Sequence, residues 1–218
     1  MTYSDLARRL PEMRRNLRTL YRRHATRADI VNGAAWYPAA RHIMADWSAS
    51  YGVSVETCAA VTAALSPQCS WPRNLIAADD VLARRAISVG GPLQVNIRKA
   101  RQLLDDTREY PTLADRMFAY FPYGPKVNSF ACNLAGADSV VTIDTHAAQA
   151  ALSDVQFNVI RGWKQYALFV QAYCDVARSF GLPPSTFQAS VWLIWRRLHP
   201  AAAKRAVVTK WSGDLGEY

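Results

Sequence analysis

Two residues of this chain could do chemistry together. Lys126 follows Gly124-Pro125 in the stretch YGPKVNSFACNLAGADSVVTIDTHAAQAAL, and Asp144 stands in Ile143-Asp144-Thr145-His146, eighteen positions later. Each opens an apolar segment. A lone amine can act as a nucleophile or an anion contact, and a lone carboxylate as a base or an electrostatic partner for developing positive charge. A helix starting after Gly124-Pro125 would also aim free N–H groups and a positive dipole end at an anion such as a DNA phosphate. The plain structural alternative is that Asp144 caps a helix, a position where Asp is preferred, and that Lys126 is a surface charge.

The elements that must position them read as helices. Leu6, Leu10, Met13, Leu17 and Leu20 recur at steps of four and three, one helical stripe. Pro11 fits the first turn of that helix. Around the stripe lie Arg8, Arg9, Arg14, Arg15, Arg18, Arg22 and Arg23, with Arg14, Arg15 and Arg18 the candidate phosphate contacts. Further helical segments are expected over roughly 36–51, 54–65, 71–86, 94–106, 112–120, 125–135, 144–153, 161–181 and 185–199. Tyr166, Phe169, Tyr173, Val176 and Phe180 mark one buried face, and Phe187, Val191, Ile194, Trp195 and Leu198 another. Strand character is confined to Val140, Val141 and Ile143, too short for a sheet, and the last 18 residues read as a loose tail. The expected fold class is all-α.

Composition narrows the function. Half of the residues are hydrophobic, and 26 basic against 17 acidic residues give a net charge of +9, which favours a polyanionic partner, nucleic acid ahead of membrane. No apolar run reaches the roughly 18 residues that cross a bilayer. Arginines occupy the place of a signal peptide's apolar region, so a cytoplasmic location is expected. The cysteines at 58, 69, 132 and 174 form no CxxC pair and the four histidines are scattered, so four reduced thiols are expected, with no metal and no cofactor.

Gly124-x-Lys126, an apolar helix and then Val141-Thr142-Ile143-Asp144-Thr145-His146 resemble the core motif of the helix-hairpin-helix DNA glycosylase superfamily, the endonuclease III-like (HhH-GPD) group. There a hairpin of the LPGVGRKTA type leads to a VDTH motif. VTAALSPQCSWPRNLIAADDVL (61–82) resembles the family's early helix and wedge turn, and places Gln68 on its DNA-inserting glutamine. VNIRKARQLLDD (95–106) and REYPTLADRMFAYFPYG (108–124) resemble the helix before the hairpin and the approach to it. The likeness covers roughly residues 55 to 152. Phe121-Pro122-Tyr123-Gly124 carries one glycine where the family has two, and the iron–sulfur cysteines of some members are absent, so the chain resembles a divergent member.

The resemblance implies a two-lobed helical fold with the active site in the cleft between lobes. One lobe would hold residues 66–141 with the hairpin, and the other residues 1–65 and 142–218. It implies a DNA glycosylase that excises a damaged or modified base, a viral hypermodified one included, with Asp144 and Lys126 catalytic and a lyase step if Lys126 attacks the sugar. Gln68, Gly124 and Tyr123 would contact DNA. Trp71, Tyr37, Trp36 and His146 are the candidates for a pocket around the extruded base. Two other readings are a base-hypermodifying enzyme on the same scaffold and a non-catalytic DNA-binding module. No obligatory protein partner is implied.

Overall fold

The computed structural model describes residues 1–200, in which eleven helices and no strand are found. The helices are α1 (Tyr3–Arg8), α2 (Leu10–His24), α3 (Arg27–Tyr51), α4 (Val55–Leu65), α5 (Trp71–Leu82), α6 (Gln94–Asp105), α7 (Leu113–Tyr120), α8 (Pro125–Leu134), α9 (Thr145–Leu152), α10 (Gly162–Ser179) and α11 (Pro184–Leu198). The all-α expectation holds for these residues. The tail expected over the last 18 residues lies outside them.

The chain groups into two compact units: residues 1–37 with the described residues from 137 onward, and residues 38–136. The boundaries read from sequence, at 65/66 and 141/142, lie elsewhere. The residues of α3 fall in both units, and the first division comes at Pro38, inside that helix.

In the first unit α1, α2, α9, α10 and α11 surround one core. Leu6, Met13, Leu17 and Leu20 are buried as the stripe requires, with Leu10 at its margin. The stripe is broken at Arg9, where α1 ends and α2 begins, and Pro11 sits in the first turn of α2. The buried face of α9 is almost all alanine (Ala147, Ala148, Ala150, Ala151), small enough for α2 and α11 to pack closely on it. Leu198, expected in the core, is 37% exposed at the last turn of α11. Residues 140–144 belong to no helix or strand, and no second strand pairs with them. The Tyr166 hydroxyl takes that part, accepting from Ile143 N–H (2.8 Å) and donating to Val141 C=O (3.1 Å).

Helix α3 starts nine residues before the expected position. Thr26 accepts from Asp29 N–H (3.1 Å) while the Asp29 carboxylate accepts from Thr26 N–H (2.8 Å), a reciprocal capping box. Gly33 then meets α11 with no room to spare: an added Cβ would lie 2.1 Å from Ser190 Oγ and 2.6 Å from Ser190 Cα. Alanine at an exposed helix position gains about 1 kcal/mol over glycine. At Gly33 the overlap with backbone forces the helices apart, and overpacking of this kind costs about 1–3 kcal/mol. Gly33→Ala is therefore expected to lower the thermal midpoint. A midpoint at or above that of the wild type would show that α3 and α11 are not locked here.

In the second unit α4 is the central helix. Every residue from Thr57 to Leu65 is buried, and α5, α6, α7 and α8 all pack against it. Arg116 ties three of these helices, donating to Thr57 Oγ1 (2.9 Å) and to the carbonyls of Leu103 (2.5 Å) and Asp106 (3.3 Å). α7 and α8 pack together across a four-residue connection, in which Gly124 N–H donates to Phe121 C=O (3.0 Å). Asn128 locks that turn, its amide donating to Phe121 C=O (3.0 Å) and Gly124 C=O (2.9 Å).

Candidate functional site

Asp144 is the N-cap of α9, as the plain reading expected. Its Oδ1 accepts from Ala147 N–H (2.8 Å) and its Oδ2 accepts from Trp192 Nε1 of α11 (2.8 Å). The carboxylate is thus held at both oxygens and half-buried, at the positive end of α9. Trp192 gathers two more side chains. The Arg196 guanidinium lies over its ring, 4.2 Å from the centroid, and the His146 ring meets it edge-on at 6.3 Å.

Two buried tyrosines border the same charge. Tyr37 donates to Gln188 Oε1 (3.0 Å); burial pushes its phenol well above the ordinary value, against the pull of a hydrogen bond with Thr142, and the Asp144 charge adds to the rise. Tyr173 donates to Ala147 C=O (2.9 Å) and is likewise raised, by burial first and by Asp144 second. Both stay neutral, so they offer hydroxyl dipoles rather than competing negative charge. Gln149 steadies the far side of α9. Its amide donates to Val155 C=O (3.0 Å) and Phe157 C=O (2.9 Å), while its oxygen faces His146 Nδ1 and Trp195 Nε1, each at 3.3 Å.

Of the expected pocket residues, His146 is in this cluster. Tyr37 is buried at its edge, and Trp36 is half-buried with its ring edge-on to Tyr37 at 4.8 Å. Trp192 and Arg196 were not expected. Their i, i+4 spacing on α11 puts them on one face and was the available signal.

The second unit holds Lys126, Gln68, Trp71, Tyr123 and Gly124. Lys126 Nζ donates to Ser66 Oγ (2.8 Å) and lies 5.3 Å from the Phe130 ring centroid. Ser66 opens the turn that carries Gln68, closed by Cys69 N–H on Ser66 C=O (3.3 Å). Pro67 and Gln68 are its central residues, and Gln68 is exposed in the left-handed region at φ 59°. A glycine would be more at ease there, so the chain holds a long polar side chain outward at a backbone cost of about 1 kcal/mol or more. Trp71 begins α5 and meets Phe130 edge-on at 6.1 Å. Tyr123 is 91% exposed, next to Gly124, the N-cap of α8, whose start has no side-chain cap. Cys69 is raised by burial, with Arg73 and Lys126 pulling the other way.

The arginines of α2 divide. Arg14 pairs with Asp175 of α10, which occupies one of the expected phosphate contacts. Arg15 is exposed and Arg18 half-exposed, and neither forms an ion pair with a described residue. Among the described residues no three His, Cys, Asp or Glu side chains gather to hold a metal. No described helix is long and apolar enough to cross a membrane.

With this geometry in place, the chain belongs to the family described as "Family of unknown function (DUF7178)", which matches residues 3–199. No curated protein and no solved structure matches it.

Proposed function

We propose that this chain is a DNA glycosylase that releases a damaged or modified base, a viral hypermodified base included, acting in the cytoplasm. The observation that carries the reading is the Asp144 carboxylate, held by Ala147 N–H and Trp192 Nε1 beside aromatic side chains. Breaking an N-glycosidic bond leaves the electron pair on the departing base and positive charge on the deoxyribose ring. A fixed carboxylate stabilises that charge without having to reorient. Water then adds to C1′ and loses a proton, or an amine adds in its place, which is the role assigned to Lys126. The exposed Gln68 turn is assigned to the gap left by the extruded nucleotide, with Tyr123 and the α8 N-terminus on the DNA backbone. Net charge of +9 accords with the DNA partner.

Incubation with DNA carrying varied base modifications, virus genomes among them, followed by mass spectrometry of the small molecules, tests this reading. Free modified base is the expected product. A base altered in place without release would favour the hypermodifying enzyme. One observation favours the DNA-binding module: both Asp144 oxygens already have partners, as a purely structural cap would. DNA binding with no product on any modified DNA would decide for it.

Gln68 gives a further expectation. Gln68→Ala should weaken binding to DNA with the target base more than binding to ordinary duplex, because the vacated gap goes unfilled. Alanine meets the same backbone cost at φ 59°, so the turn itself is little changed. Equal losses on both DNAs, measured by equilibrium binding, would reduce Gln68 to a backbone contact.

A further inference from the structure

On α11, one turn beyond Trp192, Arg196 has an arrangement that its neighbour lacks. Arg197 is paired, donating to the Asp29 carboxylate (2.8 Å) and to His24 C=O (2.5 Å). Arg196 forms no hydrogen bond and no ion pair with any described residue. It is half-buried, its guanidinium lies over the Trp192 ring at 4.2 Å, and Trp192 is the residue that donates to Asp144. Burial lowers its pKa, partly offset by the Asp144 charge. A half-buried guanidinium with no described partner keeps its fork of donors for a ligand, and stacking on tryptophan fixes its plane in advance.

We propose that Arg196 grips the phosphodiester next to the nucleotide whose sugar lies on Asp144, with Trp192 as the common support of cation and carboxylate. The inference rests on the reading of Asp144 given above. A planar fork of five N–H donors matches phosphate oxygens two at a time, which a lysine cannot do. The flanking phosphate is bonded to the same sugar, so holding it fixes that sugar against the carboxylate. Asp144 itself does not neutralise Arg196, since no ion pair forms between them.

The test is equilibrium binding of a duplex containing a tetrahydrofuran abasic analogue over a series of salt concentrations. Arg196→Gln is expected to weaken binding roughly tenfold and to reduce the slope of log affinity against log salt by about one. Arg196→Lys should keep the slope while losing part of the affinity. Thermal unfolding checks that both variants fold. Should Arg196→Gln not fold, single methylphosphonates beside the analogue carry the test on the wild-type protein: one of them must lower the slope, and a scan with no effect overturns the proposal. Wild-type protein that binds no DNA overturns the functional reading and this inference with it. Tight wild-type binding with an unchanged slope in folded Arg196→Gln overturns the inference alone.

Discussion

Replacing Asp144 by asparagine is expected to slow base release roughly 10²- to 10³-fold, the usual worth of one oriented electrostatic group. The change is chosen because it removes charge and little else. Asparagine is as good an N-cap as aspartate, so the bond from Ala147 N–H survives. Only one amide atom can accept, however, so the Trp192 Nε1 donor now meets an N–H₂ group. That loss costs about 1 kcal/mol, too little to unfold a domain of this size. Affinity for an uncleavable abasic-analogue duplex should stay near wild type, which separates chemistry from binding. Near-normal turnover by Asp144→Asn would remove this carboxylate from the reaction and leave it as a cap.

The second large effect concerns Lys126. If its amine attacks C1′, the base departs with the bonding electrons, the ring oxygen leaves the same carbon, and a Schiff base joins Lys126 to the opened sugar. Borohydride reduces that bond to a stable protein–DNA adduct, and strand cleavage follows in its absence. Lys126→Gln should lose the adduct and the cleavage entirely and keep base release by water. In the unbound protein the ammonium donates to Ser66 Oγ, so the reaction requires it to exchange that hydrogen bond and give up a proton. Base release with no trappable adduct from wild-type protein would leave water as the nucleophile and Lys126 as a phosphate contact. Either result is read by gel and by mass spectrometry of the adduct.

Much of the framework was legible because local signals agreed. The starts of α4, α5, α8 and α9 follow from Ser54, Pro72, Pro125 and Asp144, residues that stop or cap a helix in themselves. The early start of α3 was missed although Thr26 and Asp29 spell a capping box, because Gly33, Ala34 and Ala35 dilute the apolar period behind it. The run at 140–143 has strand-like residues but forms no strand, and the Tyr166 hydroxyl bonds Ile143 N–H and Val141 C=O, a partner no pattern of alternation reveals. The site divided in the same way. Asp144 and His146 stand out because their motif is contiguous. Trp192 is 48 positions from Asp144, and a tryptophan inside an apolar helix reads as core until the fold brings it to a carboxylate. Arg14 read as a free cation for the same reason, its acid Asp175 being 161 positions away.

The reaction assigned to this site is the cutting of a glycosidic bond, driven by Asp144. Its most direct measurement counts products from one modified duplex in a single turnover: free base by mass spectrometry, and base-free sites by an aldehyde-reactive probe on borohydride-free samples. Wild-type protein should give free base in an amount equal to the sum of base-free sites, Lys126 adduct and cleaved strand, and Asp144→Asn should release base at a rate lower by roughly 10²- to 10³-fold. Modified base consumed without free base or base-free sites, or equal rates for the two proteins, would rule out Asp144-driven cleavage.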